Sequence, residues 1–378
     1  MIVIMEAGIQ SADPRVAAVV AKARLLGINP VPETVTGTEF AVTQVLLKDG
    51  TKVRSASLPE YFFQAMEGVQ DVRRVTPPSV SLAHNGGSYH RIKIGGVEVA
   101  TNLPCRLIAG PCTVDKEIYG IVSRLVQLGV KQIRGGCWKP RSNPDAFPGF
   151  GSQAVEWLFE AACRYGVETV CLEVIESEHI SIVQSVVNRT GFTGTVILWV
   201  GARTSNPILL KALGSQMNFP VMVKIGLNDG GIDDIAARME WVLARQSVWN
   251  ENGSLDSDRS LTPGNNRVIA CLRGTKQTDK HNPYRFIPNH SWTKIIQQRW
   301  WAPVCIDPSH SAGEELLVIE NTEDALRFKP SLVMVEGGYE GEYRGLCDAN
   351  QSVSIGNMPK IIKLVADHNE KVYGIRTF

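Results

Sequence analysis

Apolar and polar positions along the chain fall into two successive patterns, the first ending near residue 75. Before it, a short apolar run, IVIM (2–5), precedes DPRVAAVVAKARLLG (13–27), whose apolar positions recur at helical spacing up to Gly27. PVPETV and FAVTQVLL then alternate about Gly37 like a hairpin, LPEYFFQAME (58–67) is again helical, and VQDVRRV (69–75) closes as a strand. This β-α-β-β-α-β order predicts a small α+β ferredoxin-like domain over 1–76. Pro77-Pro78 and the polar stretch SLAHNGGS break the pattern, and RIKIGGVEVA predicts a hairpin turned at Gly95-Gly96, so 77–103 reads as linker and hairpin. From 104 to 378 apolar strands alternate with amphipathic helices: RLIAG, KQIRGG, TVCLEV, TVILWVG, VMVKIG, RVIACLRG, VCIDPS and LVMVEGG, then a closing helix at 359–368. Eight such strands with helical crossovers predict an α/β fold, a (β/α)8 TIM barrel; a doubly wound open sheet is the alternative.

Composition narrows the function classes. Of 378 residues, 39 are Lys or Arg and 38 Asp or Glu, a net charge of +1 that argues against a nucleic-acid or membrane-surface partner. No apolar run reaches the length of a membrane span, and the N-terminus has no basic segment ahead of an apolar one. Eight scattered cysteines without a Cys-x-x-Cys pair predict reduced thiols and a cytoplasmic protein. No Gly-x-Gly-x-x-Gly or Walker pattern points to a nucleotide. Trp138, Trp199 and Trp300-Trp301 read as packing residues.

A barrel brings the C-terminal ends of its strands to one mouth, and chemistry-bearing residues stand at nearly every end here. They are Cys112, Arg134 with Lys139, Arg141 and Ser142 behind it, Arg203, Lys224, Arg273, Asp307 with His310, and Glu336 followed by Asp348. Cys112, His310, Glu336 and Asp348 form a mixed S/N/O donor set suited to a divalent Mn²⁺, Fe²⁺, Co²⁺ or Zn²⁺ and poorly to Ca²⁺. Arg134, Lys139, Arg141, Arg203, Lys224 and Arg273 make a polyanion site. With a divalent ion against three anionic ligands, the positive surplus exceeds one phosphate of about −2 and is matched by two phosphates plus a carboxylate.

These strings in this order resemble the 3-deoxy-D-arabino-heptulosonate 7-phosphate (DAHP) synthases, from about Leu107 to Ser354. The resemblance is carried by IAGPCTVD (108–115), IRGGCWKPRSNPDAFPGFG (133–151), VGAR (200–203), VKIG (223–226), LRGTK (272–276), IDPSHSAG (306–313), MVEGG (334–338) and CDANQS (347–352). It implies condensation of phosphoenolpyruvate with erythrose 4-phosphate, releasing phosphate, at the entry to the shikimate pathway and aromatic amino acid biosynthesis. It further implies Cys112, His310, Glu336 and Asp348 as metal ligands, and Arg203 and Arg273 on the phosphoenolpyruvate phosphate. Arg134, Lys139 and Lys224 would surround its carboxylate and reacting carbons, with Arg141 and Ser142 on the sugar phosphate. Lys139 is expected to act as acid, its pKa lowered by neighbouring cations. Asp307 is expected to orient substrate or a metal-bound water. The N-terminal unit resembles a regulatory extension that binds aromatic amino acids, and relatives are homo-oligomers, dimers or tetramers.

Four departures mark this chain. Lys224-Ile225-Gly226 stands where many relatives carry Lys-Arg-Gly, and no His follows Glu336. A polar insertion runs from Gln246 to Asn266, and HNPYRFIPNHSW (281–292) reads as an unusual lid beside Arg273. The alternatives are condensation of phosphoenolpyruvate with another aldose phosphate, such as arabinose 5-phosphate, and a non-catalytic ligand-sensing barrel.

Overall fold

The computed structural model describes residues 1–50, 58, 60–74, 91–141, 143–243, 248–249, 255–256, 264–277, 279, 281–300 and 302–377. Ser142, Trp301 and most of the 246–266 insertion lie outside the described residues. Chain contacts divide the molecule into two compact units, 1–80 with 245–262, and 81–244 with 263–378.

In the first unit, strands β1 (Ile2–Met5), β2 (Asn29–Thr36), β3 (Ala41–Lys48) and β4 (Val69–Arg73) form a sheet ordered β2-β3-β1-β4. Every pairing is antiparallel, with β3 inserted between β1 and β2. That is the split β-α-β arrangement the sequence predicts. The helix Pro14–Leu25 starts on Asp13, whose carboxylate accepts the Arg15 N–H, with proline at the first turn. Val16, Val19 and Ala23 on its inner face pack with Val3, Met5, Val45 and Phe63. The second helix is shorter than its apolar pattern predicts, Tyr61–Gln64 instead of 58–67. The chain turns from Met66 into β4 through Gly68, whose φ of 74° a side chain resists.

The second unit opens with a hairpin, β5 (Ile92–Ile94) and β6 (Val97–Val99), turned by Gly95 and Gly96, both at positive φ. Eight parallel strands follow: β7 (Arg106–Gly110), β8 (Gln132–Gly135), β9 (Thr169–Val174), β10 (Thr195–Val200), β11 (Val221–Lys224), β14 (Val268–Leu272), β15 (Val304–Ile306) and β16 (Leu332–Tyr339). Each pairs with its neighbour, and β16 pairs with both β7 and β15, which closes the barrel. Two short strands of the first unit, β12 (Val248–Trp249) and β13 (Leu255–Asp256), pair within the insertion, and β17 (Val353–Ser354) of the second pairs in parallel alongside β16.

Period-two alternation sorts the barrel side chains. One parity of each strand, including Leu107, Val170, Leu198, Val223 and Val333, packs against the surrounding helices. The opposite parity points inward, where Ile108, Cys171, Ile197, Trp199, Met222, Ile269, Cys271, Cys305, Leu332 and Met334 fill the interior together with Ile92, Ile94 and Val99 of the hairpin. The Gly95 N–H donates to Thr195 Oγ1 at 3.2 Å, seating the hairpin under the barrel. Among the described residues no helix is long and apolar enough to cross a membrane.

Candidate active site

Moving two residues further along each inward parity brings the chain to the charged groups. Cys171 is followed by Glu173, Met222 by Lys224, Cys271 by Arg273, Cys305 by Asp307 and Met334 by Glu336. Alternation alone thus aims these side chains into the mouth, directly above the apolar interior. Trp199, 1% exposed, forms the base of the pocket, with the Arg134 guanidinium 4.8 Å and the Lys224 ammonium 5.0 Å from its ring. Trp199 is packing, as expected, and also the floor on which two cations rest. Trp138, behind Lys139, stacks on His179 at 3.8 Å.

The pocket is lined by Cys112, Arg134, Lys139, Arg141, Arg203, Lys224, Arg273, His310 and Asp348. Three of the four expected ligands, Cys112, Glu336 and Asp348, present donor atoms that all lie within 4.8 Å of one another. Cys112 Sγ is 3.6 Å from Asp348 Oδ2. His310 stands beside this trio, its Nε2 3.5 Å from Glu336 Oε1 and 4.0 Å from Asp348 Oδ2. Glu336 is fully buried, and its Oε1 lacks a hydrogen-bond partner among the described residues although Arg134 Nη1 is 3.0 Å away. A thiol, an imidazole and two carboxylates converging on an unsatisfied buried oxygen fit a divalent transition cation. The hydrogen bond with Cys347 and complete burial push the Cys112 thiol up, and a bound cation reverses that because a ligating thiol is deprotonated. His310 and Arg134 hold Glu336 below the usual carboxylate range against its burial, and His310 and Arg285 do the same for Asp348.

Asp307 has a different place from the one expected. It is fully buried, absent from the pocket wall, and caps the helix Pro308–Ala312 through the His310 N–H. Its Oδ2 also meets Lys224 Nζ at 2.7 Å and His310 Nδ1 at 2.8 Å. Those two groups hold it well below the usual carboxylate range despite burial. With its oxygens engaged by these groups, Asp307 orients Lys224 and His310. The His310 ring is thereby fixed with Nε2 toward the carboxylates.

The charge on Lys139 also differs from expectation. Its Nζ donates to the Cys112 carbonyl and lies 3.3 Å from Cys112 Sγ. Burial favours the neutral amine, but Cys112, Glu173 and Glu336 outweigh both burial and Arg134, and the pKa is raised instead of lowered. Lys224 is likewise raised by Asp307 against its burial. Arg273 behaves the opposite way: burial draws it down to about 10, with Arg203 and Arg285 adding repulsion. Its Nη1 is buried without a hydrogen-bond partner among the described residues, and its guanidinium lies 4.1 Å from the Phe286 ring centroid. Arg141 donates Nε to the Phe147 carbonyl at 2.9 Å and contacts Cys347.

Four residues near these groups escaped the sequence reading. Glu173 was available from the alternation of TVCLEV, which places it inward of Val174 and beyond Cys171. Cys347 and Gln351 lie within CDANQS, but nothing local distinguishes them from the rest of that string. Arg285 belongs to the 281–292 segment and has no sequence signal of its own.

The model of the DAHP synthetase I family matches residues 84–373. A phospho-2-dehydro-3-deoxyheptonate aldolase of Thermotoga maritima is 27% identical over 307 residues, 80% of each chain. The crystal structure of a DAHP synthase from Thermotoga maritima covers 98% of this chain and 97% of its own, with a TM-score of 0.75 at 23% identity, a likeness of fold. A truncated form of 3-deoxy-D-arabino-heptulosonate 7-phosphate synthase from Thermotoga maritima covers 79% of this chain and 99% of its own, with a TM-score of 0.61 at 26% identity. A closed barrel whose strand ends assemble these donors and cations, matched by the family model over most of its length, belongs to the DAHP synthetase I family.

Proposed function

We propose that this chain is a metal-dependent DAHP synthase, joining phosphoenolpyruvate to erythrose 4-phosphate with release of phosphate in the cytoplasm, as the first step of the shikimate pathway. The observation that carries the reading is Arg273, a buried guanidinium with an unpartnered nitrogen, in a mouth that also holds Arg203 and the cluster of metal donors. A buried cation of that kind is completed by an oxyanion, and a phosphate takes the fork of an arginine well.

In this reading Arg203 and Arg273 hold the phosphoenolpyruvate phosphate. Lys224, Arg134 and Lys139 surround its carboxylate and reacting carbons, with Arg141 and Ser142 toward the sugar phosphate. Cys112, His310, Glu336 and Asp348 would hold a divalent cation, which supplies Lewis-acid polarisation of the aldehyde oxygen. The C3 carbon of phosphoenolpyruvate attacks the aldehyde carbon, and Lys139, kept charged by its anionic neighbours, delivers a proton to the aldehyde oxygen. Water adds at C2, and phosphate leaves as the C2 keto group forms. Asp307 takes no proton; it keeps Lys224 and His310 oriented. The 1–76 unit is assigned an aromatic amino acid effector on its split β-α-β topology and its likeness to a regulatory extension, and the chain is assigned a homo-oligomeric state by family analogy.

The test uses the full chain stripped with chelator. Phosphoenolpyruvate and erythrose 4-phosphate are added with and without Mn²⁺, and enol absorbance and phosphate are followed together. Metal-dependent loss of the enol with one phosphate released per turnover is expected. Consumption only with another aldose phosphate would replace the sugar, and no consumption with any metal or sugar would overturn the reading.

A further inference from the structure

We infer that Arg285 is a positioning residue for the metal donors, acting directly on Asp348 and through Gln351 on Glu336. This inference rests on the metal-dependent reading above. A single nitrogen of Arg285, Nη1, donates to Asp348 Oδ1 and to Gln351 Oε1, both at 2.9 Å. Gln351 is 1% exposed, and its amide in turn donates to Glu336 Oε2. Each carboxylate therefore has one oxygen held from outside. The other oxygen of each faces the donor cluster: Asp348 Oδ2 toward Cys112 Sγ, and Glu336 Oε1 toward His310 Nε2. The relay decides which oxygen each acid turns toward the donor cluster.

The backbone explains why such a hold is useful. Asp348 is one of two described non-glycine residues at positive φ, at 51°, and it stands at the start of the turn Ala349–Gln351. A side chain there is in a sparsely populated conformation that neighbouring contacts must sustain. Arg285 itself is anchored to the element that carries His310. Its N–H donates to the Ala312 carbonyl and that of Phe286 to the Ser311 carbonyl, at 3.3 and 3.1 Å. The segment read from sequence as a lid is thus a brace, tying the His310 helix, the Asp348 turn and buried Glu336 together. Phe286, the next residue, carries the Arg273 guanidinium on its ring, so the brace also touches the proposed phosphate end of the pocket.

The Arg285 side chain is 37% exposed, so its removal opens no core cavity and the fold should survive. The experiment titrates Co²⁺ into the full-length apo protein, reading affinity by calorimetry and the thiolate-to-cobalt and ligand-field bands by absorbance. Arg285→Ala should weaken Co²⁺ binding by about 10- to 100-fold, the usual effect of losing an outer partner of a metal ligand, and shift the ligand-field bands. Arg285→Lys, which can still donate to both oxygens, should recover much of the affinity and the wild-type spectrum. Gln351→Leu should reproduce part of the loss. Wild-type affinity and spectrum in Arg285→Ala would overturn the relay. If that variant fails to fold, unchanged binding in Gln351→Leu overturns it equally. A wild-type protein showing no thiolate-to-cobalt band would instead reject the metal reading itself.

Discussion

The two ends of the barrel are made from the same strands and the same side-chain parity, yet one is dry and apolar and the other densely charged. At the hairpin end, Ile92, Ile94, Val99, Ile108, Ile269 and Leu332 pack without a charge among them. At the mouth, Arg134, Lys139, Lys224, Arg273, Asp307 and Glu336 are buried as well, Asp307 and Glu336 completely. The difference teaches where burial alone holds a structure together and where burial must be offset. A floor isoleucine is stabilised simply by leaving water. A buried mouth cation needs an anion within reach, which Asp307 gives Lys224 at 2.7 Å, whereas Arg273 Nη1 has no hydrogen-bond partner among the described residues. The floor is therefore stabilised by burial alone, and the mouth by burial offset with charge pairing.

The largest break in that comparison comes from removing a proposed metal donor. Cys112→Ala should lower kcat at least about a thousandfold and abolish the thiolate-to-cobalt band, because polarisation by the cation contributes several kcal/mol. Steady-state kinetics with added Mn²⁺ checks it, and near-normal turnover would remove Cys112 from the donor set. Lys139→Met should cost about 10²- to 10⁴-fold in kcat, the range for a positioned proton donor, with little change in Tm.

On the floor the sign of the split reverses. Ile269→Ala, at a fully buried position, should lower unfolding stability by about 2–5 kcal/mol while KM stays close to wild type. Urea midpoints beside kinetics separate the two ends. Arg273→Ala is expected to raise KM for phosphoenolpyruvate by roughly 10- to 150-fold, the equivalent of about 1.5–3 kcal/mol for a charge-assisted contact, without loss of stability. A drop in stability with KM unmoved would make Arg273 a structural residue.

The smallest effect concerns the mooring of the Asp348 loop. Glu315 Oε1 accepts from the Ser354 N–H, the Ser354 hydroxyl and the Asn357 amide at 2.6–2.8 Å. These bonds outweigh partial burial and lower its pKa. A lowered folded pKa means the contribution is present in full above the unfolded value of about 4.3 and is lost as pH falls through the folded one. Glu315→Gln should therefore cost about 1 kcal/mol at pH 7 and progressively less below about pH 4, read from urea midpoints at both pH values.

How legible this was differs by level. The eight barrel strands, the Gly95-Gly96 hairpin and the split sheet were all readable, because period-two and period-3.6 apolar spacing is written locally. The residues at the strand ends were readable once a barrel was assumed, since one mouth collects them. Glu173 was missed although its parity pointed inward. The raised state of Lys139 is not legible in the sequence, where cations are its visible neighbours, because Cys112, Glu173 and Glu336 meet it only in space. The enclosure of Asp307 by Lys224 and His310 was also hidden, since Lys224 lies 83 residues away in the chain.

By itself, then, the sequence determined the elements, their order and parity, and the kinds of charge delivered to the mouth. Those follow from side-chain alternation and from apolar burial, which act between neighbours in the chain. Only the tertiary structure decided which charges pair and which do not: Asp307 is paired and enclosed, Arg273 Nη1 has no hydrogen-bond partner among the described residues, and Asp348 and Glu336 are tied from outside by Arg285 and Gln351. The reason is physical. Coulomb and hydrogen-bond energies depend on distances of a few ångströms between residues tens to hundreds of positions apart, and in a buried site those distances set both charge state and geometry.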